Sequence, residues 1–176
     1  MGEGRGGGRV YNPIMLLELP LILETRRNHA LEHATLHVLA RAHSIPMAGH
    51  SNPTGFFILA DLSTEALTSA ITEAWTRLNA GEYNLAVHPG CGTNLATNIV
   101  LASTFAWIPL RGRKSTLGRL ALVPFALLFA ALGFALARQL GPSLQQHVTT
   151  EARLGNMQVV EVRFVRKGVH RVITKN

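Results

Sequence analysis

From Leu117 to Leu140 the chain reads L-G-R-L-A-L-V-P-F-A-L-L-F-A-A-L-G-F-A-L-A-R-Q-L, with charge only at Arg119 and Arg138 near its ends. A run of about 20 apolar residues is what a helix needs to cross a bilayer. Arg119 and Arg138 can snorkel to the interface, and Pro124 and Gly133 are tolerated in such helices. Leu95–Leu110 is a second apolar run, carrying Thr97, Asn98, Ser103 and Thr104, and with Gly92–Asn94 it is just long enough to span. The link R-G-R-K-S-T between the runs is too short for anything but a hairpin. The expectation is a two-helix transmembrane hairpin over residues 95–140; the alternative is a pair of helices buried in a soluble core.

Composition supports that division. The chain is 47% hydrophobic and 15% charged, with a mean hydropathy of +0.19, and the apolar residues crowd into 95–140 while 24–84 reads like an ordinary globular sequence. Net charge is +7, from 17 Lys and Arg against 10 Asp and Glu. Basic residues flanking membrane segments account for it. No recognition motif, basic helix or interleaved aromatic stripe accompanies the charge, so nucleic acid is not an expected partner; membrane lipid is, and so is a homo-oligomer or a larger membrane complex. Cys91 is the only cysteine, which excludes an internal disulfide.

Four segments are expected within an α+β fold. Residues 1–27 hold a glycine-rich flexible start and an apolar stretch, Y-N-P-I-M-L-L-E-L-P-L-I-L, too interrupted by Glu18 and Pro20 for an export signal or a span, and better suited to docking on a core or an interface. Residues 28–94 should form a small soluble domain: a helix from His29 to Ala42 capped by Asn28, a loop over Ser44–Thr54, a buried strand G-F-F-I-L-A, a helix capped by Asp61 or Ser63 and ended by Gly81, and a short strand over Tyr83–His88. The hairpin takes 95–140. Residues 141–176 begin at Gly141-Pro142 with an amphipathic piece and finish in an alternating β-hairpin turning at Arg-Lys-Gly, returning to the soluble sheet or the membrane surface. Orientation signals conflict. Arg111, Arg113, Lys114 and Arg119 favour a cytoplasmic link, whereas no cleavable signal is visible to export the preceding residues. The expected location is the inner membrane, multi-pass, with the soluble domain in the cytoplasm.

The chemistry concentrates in N-H-A-L-E-H-A-T-L-H, residues 28–37. On a helix His29 and His33 lie one turn apart on the same face with Glu32 beside them. Two imidazoles at that spacing can hold one divalent cation, and a neighbouring carboxylate can accept a proton from its water, whose pKa falls to about 7 in zinc sites. His88 and Cys91, in H-P-G-C-G-T-N, offer a nitrogen and a sulfur within one turn, with Cys91 at the start of a helix that favours thiolate. They could complete a zinc sphere; alternatively Cys91 is a nucleophile paired with a histidine. The bland reading is equally concrete: a solvated polar helix face, and a buried cysteine in a glycine turn. His37 extends the histidine stripe as a surface residue, His43 and His50 flank the loop, and His147 and His170 have no evident partner.

H-A-L-E-H resembles the H-x-x-E-H helix of pitrilysin-type metallopeptidases. The resemblance implies His29 and His33 as zinc ligands and Glu32 as general base; the glutamate ligand that family carries on a later helix has only Glu65 and Glu73 as counterparts, too near in sequence. The whole order, HALEHAT, then HPxCGTN, then an apolar hairpin, also resembles an uncharacterised bacterial membrane-protein family with no assigned activity. The functional expectations are therefore a membrane-anchored zinc hydrolase, most naturally a peptidase, with Glu32 catalytic and His29, His33, His88 and Cys91 as the ligand pool, or a non-catalytic membrane-complex subunit or assembly factor with a structural metal or a redox-cofactor site. Iron, nickel or copper suit a histidine-rich site as well.

Overall fold

The computed structural model describes residues 13–175 and shows a mixed α/β chain. The expected flexible glycine-rich start lies largely outside the described residues. A short helix α1 (Pro13–Leu17) leads into α2 (Pro20–Ala42), followed by β1 (Ala48–Asn52), β2 (Gly55–Leu59) and α3 (Thr64–Asn79). A 3₁₀ turn (Tyr83–Ala86), α4 (Gly92–Trp107), α5 (Thr116–Ala121) and α6 (Val123–Leu144) come next. A π-turn (Gln145–Thr149), β3 (Gln158–Arg166) and β4 (Val169–Lys175) complete the order.

The four strands form one antiparallel sheet in the order β1-β2-β4-β3, so the C-terminal hairpin joins the sheet begun by β1 and β2. Helices α2 and α3 cover one face. Leu31 and Leu39 of α2, Leu67, Ile71 and Leu78 of α3, and Phe56, Ile58 and Val172 of the sheet make the buried core with Leu154 and Met157. α3 behaves as its pattern dictates: Ser63 caps it by accepting from the Ala66 N–H, and its buried residues recur at helical spacing.

Three local expectations are corrected. The first functional helix begins at Pro20, not His29, because proline is well placed in a first helical turn, where its missing N–H costs nothing. Asn28 is consequently mid-helix and fully buried; its amide donates to the Asn52 and Pro53 carbonyls and its oxygen accepts from the Thr174 hydroxyl. The expected loop over Ser44–Thr54 contains strand β1, paired with β2 through a turn at Pro53-Thr54. Tyr83–His88 is not a strand: residues 83–86 form a 3₁₀ turn that leads into the H-P-G-C loop.

Two long helices project from this unit. α4 and α6 run antiparallel, and Gly133 lets them approach so closely that an added Cβ would lie 2.6 Å from the Leu101 carbonyl oxygen. Most of their apolar side chains are exposed. Among the described residues one helical stretch, Val123–Thr149, is long and apolar enough to cross a membrane by length and composition. It passes through Gly141-Pro142 without ending there.

Candidate metal centre

The groups of the site come from α2, from β1, from the 3₁₀ turn and the H-P-G-C loop after it, and from the π-turn that ends α6. Along α2, residues 29, 32 and 33 face the loop rather than solvent; Glu32 and His33 are 3% and 2% exposed. The ring centroids of His29 and His33 are 4.2 Å apart.

The hydrogen bonds behind these rings define what the rings can do. His29 donates from Nδ1 to the Thr149 carbonyl at 2.9 Å, and His33 donates from Nδ1 to the Ala86 carbonyl at 2.7 Å. A carbonyl oxygen can only accept, so in both rings Nδ1 carries the hydrogen and Nε2 keeps its lone pair when the ring is neutral. Cys91 Sγ lies 3.5 Å from His29 Nε2. One ligand atom from each of His29, His33 and Cys91 falls within 4.8 Å of the others. Imidazoles fixed through Nδ1 by backbone carbonyls, with Nε2 turned to a common point, are the arrangement by which proteins orient metal ligands.

Cys91 is held by the start of α4. It is the residue capping that helix, its sulfur accepts from the Thr93 N–H at 3.4 Å, and the free N–H groups there favour negative charge. Burial would push the thiol up, but hydrogen bonds from His29, His33 and Thr93 win and bring its pKa down to about 5. Burial likewise works against a charged His29, yet the Cys91 and Thr149 interactions raise its pKa above the ordinary value. The two shifts have one cause: each group favours the charged form of the other.

Glu32 stands outside the three-residue cluster and beside it. Burial raises its pKa against the opposing effect of the Ser51 hydroxyl, which donates to its carboxylate. The carboxyl occupies the space where a side chain on Gly49 would be, so β1 can pass over Glu32 only with glycine at that position. Glu32, Ser51, His50 and His88 line, with the cluster, an open cavity of about 320 Å³.

Of the residues singled out from sequence, the fold brings His29, His33 and Cys91 together and sets Glu32 at their edge. His88 is in the cavity wall but outside the cluster; its ring centroid is 5.6 Å from that of His33, and its Nδ1 accepts from the Gly90 N–H. Burial and the neighbouring His33 and His37 depress its pKa to about 4, which keeps it neutral. His37 is closer to the site than its spacing suggests, with its ring 4.9 Å from His88 and its Nε2 donating to the Val87 carbonyl. His170 is buried far along the chain beside Thr64, and His147 bonds back to Ser143. Glu65 and Glu73 lie on α3, away from the cavity lining.

Sequence reasoning missed three contributors. The buried Arg26 donates to the Leu17, His147, Val148 and Thr150 carbonyls and thereby pins the π-turn that supplies Thr149. Gln145, fully buried, accepts from the His88 N–H at 2.9 Å and donates to Asn94 at 2.7 Å, tying the H-P-G-C loop to the helical pair. Ser51, in a stretch whose sequence reads as a loop, lies on β1. An arginine within a polar-looking helical stretch was the single available signal, because a buried guanidinium demands several acceptors.

A family profile for a domain of unknown function, DUF6391, matches residues 24–162. An uncharacterized protein from Picosynechococcus sp. is 34% identical over 156 residues, covering 81% of this chain and 73% of its own length. No solved structure matches the chain.

Proposed function

We propose that this chain, which belongs to the DUF6391 family with the entire centre inside the matched span, is a membrane-anchored metal hydrolase. Zinc is the natural ion for two imidazoles and a thiolate. The observation that carries the reading is the pair of Nδ1–H bonds to the Thr149 and Ala86 carbonyls, which in the neutral rings leave two Nε2 lone pairs converging on the Cys91 sulfur. Three ligands rather than four, next to a cavity, leave a position for water or substrate, the pattern of catalytic rather than structural zinc.

Zinc bound here would supply Lewis acidity to an oxygen ligand. The chain's own residues do the rest. Glu32, buried and raised in pKa, holds or accepts a proton at the cavity edge; Ser51 fixes its carboxylate, and Gly49 makes room for it. Peptide and ester carbonyls are the substrates such a group serves, and the H-x-x-E-H resemblance to inverted zincins points the same way. In this reading α4 and α6 form a two-helix hairpin in the inner membrane, with the sheet and the site on the cytoplasmic side. Membrane lipid is then the immediate partner, and a second copy or a larger complex can assemble through the helices.

A second reading, a structural metal in a non-catalytic membrane subunit, draws on His88, which is near enough to His33 to close a four-ligand sphere after a small movement. Metal analysis of the purified protein beside His33→Ala, His88→Ala and Glu32→Gln separates the two. The hydrolase reading expects metal lost from His33→Ala, kept in His88→Ala and Glu32→Gln, and turnover lost in Glu32→Gln. Metal lost with His88 moves the assignment to the structural reading, and a wild-type protein that binds no metal ends both.

A further inference from the structure

The centre has a second, apolar approach. One face of α2 carries Leu21, Thr25 and His29 at successive turns, so the stripe passes from apolar to ligand over about 12 Å of helix. Opposite it stand Leu17, from α1, and Val148 and Thr149, from the π-turn; together they line an open, mostly apolar groove of about 610 Å³. This groove and the metal-site cavity share Thr25, His29 and Thr93 as walls, so they meet at a ligand. Met15, Leu16 and Leu19, chain neighbours of the lining residues Leu17 and Leu21, are exposed, and the lining residues Val148 and Thr149 end the apolar α6 stretch.

We propose that the groove receives a hydrocarbon chain, and that the substrate class is an acyl amphiphile whose carbonyl lies at the His29–His33–Cys91 centre. The proposal rests on the metal-hydrolase reading for its polar end and on the groove for its apolar end. A single molecule must match both ends: apolar where Leu17, Leu21 and Val148 face it, and metal-binding where His29 begins. A peptide backbone matches poorly. Its N–H and C=O groups need partners along their length, and the groove offers no free sheet edge: the Thr149 carbonyl is taken by His29, and Arg26 spends its donors on the carbonyls of residues 17, 147, 148 and 150. A saturated chain makes no such demand.

The test uses the full chain loaded with cobalt, in nanodiscs of dioleoylphosphatidylcholine, titrated with straight-chain acyl hydroxamates from acetyl to octanoyl and followed by the cobalt absorption band. Affinity should rise about fourfold per methylene, the effect of burying about 0.8 kcal/mol of CH₂. Leu21→Trp and Val148→Trp, which fill the groove at exposed positions, should cut that gain below about twofold per methylene while acetohydroxamate affinity stays within about twofold. A flat chain-length series, or one that the tryptophans leave unchanged, overturns the proposal. So does tighter binding of a hydroxamate built on an apolar tripeptide, which would make the site a peptidase subsite. A protein that takes up no cobalt removes the metal reading but not the groove. Octanoic acid bearing a terminal diazirine then decides: crosslinks gathered on Leu17, Leu21 and Val148 sustain the chain-binding groove, and crosslinks spread along the exposed face of α6 overturn it as ordinary lipid contact.

Discussion

α2 and α3 cover the same sheet, yet they bury opposite kinds of residue. α3 hides only Leu67, Ala70, Ile71, Ala74 and Leu78, and turns its threonines and charges outward. α2 hides Arg26, Asn28, Glu32, His33 and Thr35 among its apolar residues, each with a partner: carbonyls for Arg26, Asn28 and His33, a serine for Glu32, and its own preceding turn for Thr35. Burying polar groups costs free energy unless their hydrogen bonds are satisfied, and an apolar helix would cover the sheet more cheaply. The contrast marks where this molecule gathers its buried polar side chains. α3 is scaffold; α2 is shaped by what it must present.

If that contrast is right, substitutions on the two helices should differ in kind. The largest effect belongs to His33→Ala, which should bring the zinc content of the purified protein to background, measured by elemental analysis, while the fold persists by circular dichroism. Glu32→Gln should keep zinc and lower turnover by about 10²–10⁴-fold, the usual contribution of a general acid or base, read in steady-state kinetics on an acyl or peptide substrate. Gly49→Ala, which drives a methyl into the Glu32 carboxyl, should destabilise by about 1–3 kcal/mol in urea melts. Combined with Glu32→Ala its cost should shrink, since the clash partner is gone. The smallest effect falls on the scaffold. Ser63→Ala removes the α3 cap and should cost about 1 kcal/mol without touching metal content.

The metal-free protein adds a pH test. Cys91 has its pKa depressed to about 5 in the folded chain, so its contribution to stability is present above the ordinary thiol range and is lost as pH falls toward 5. His29, raised, contributes in the opposite sense, with stability present at low pH and lost as pH rises through its folded value. Metal-free protein should therefore lose stability as pH falls from the ordinary thiol range toward 5, and His29→Ala should flatten that fall and move Cys91 ionisation upward, measured by thiolate absorbance.

The sequence made much of α3 legible, because Ser63, the helical spacing and Gly81 all say the same thing. It also made the alternating C-terminal hairpin and the apolar 117–140 stretch readable. α2 was misjudged at its beginning, since Pro20 looks like an interruption and Asn28 looks like a cap until tertiary partners at Asn52, Pro53 and Thr174 are known. β1 was hidden for a related reason. Gly49 reads as a turn residue, but its requirement comes from Glu32, 17 positions earlier and touching only in the fold. In the candidate site, helical spacing paired His29 with His33, whereas the arrival of Cys91 rather than His88 depends on the α4 start, the Gln145 tie and the Thr149 carbonyl. None of these is a local pattern.

The measurement that tests the account most directly is X-ray absorption at the zinc edge of the zinc-loaded protein. Two imidazole nitrogens at about 2.0–2.1 Å, one sulfur at about 2.3 Å and one further light atom are the predicted sphere, with the sulfur disappearing in Cys91→Ser. A spectrum with no sulfur, or with a third imidazole in its place, would contradict it.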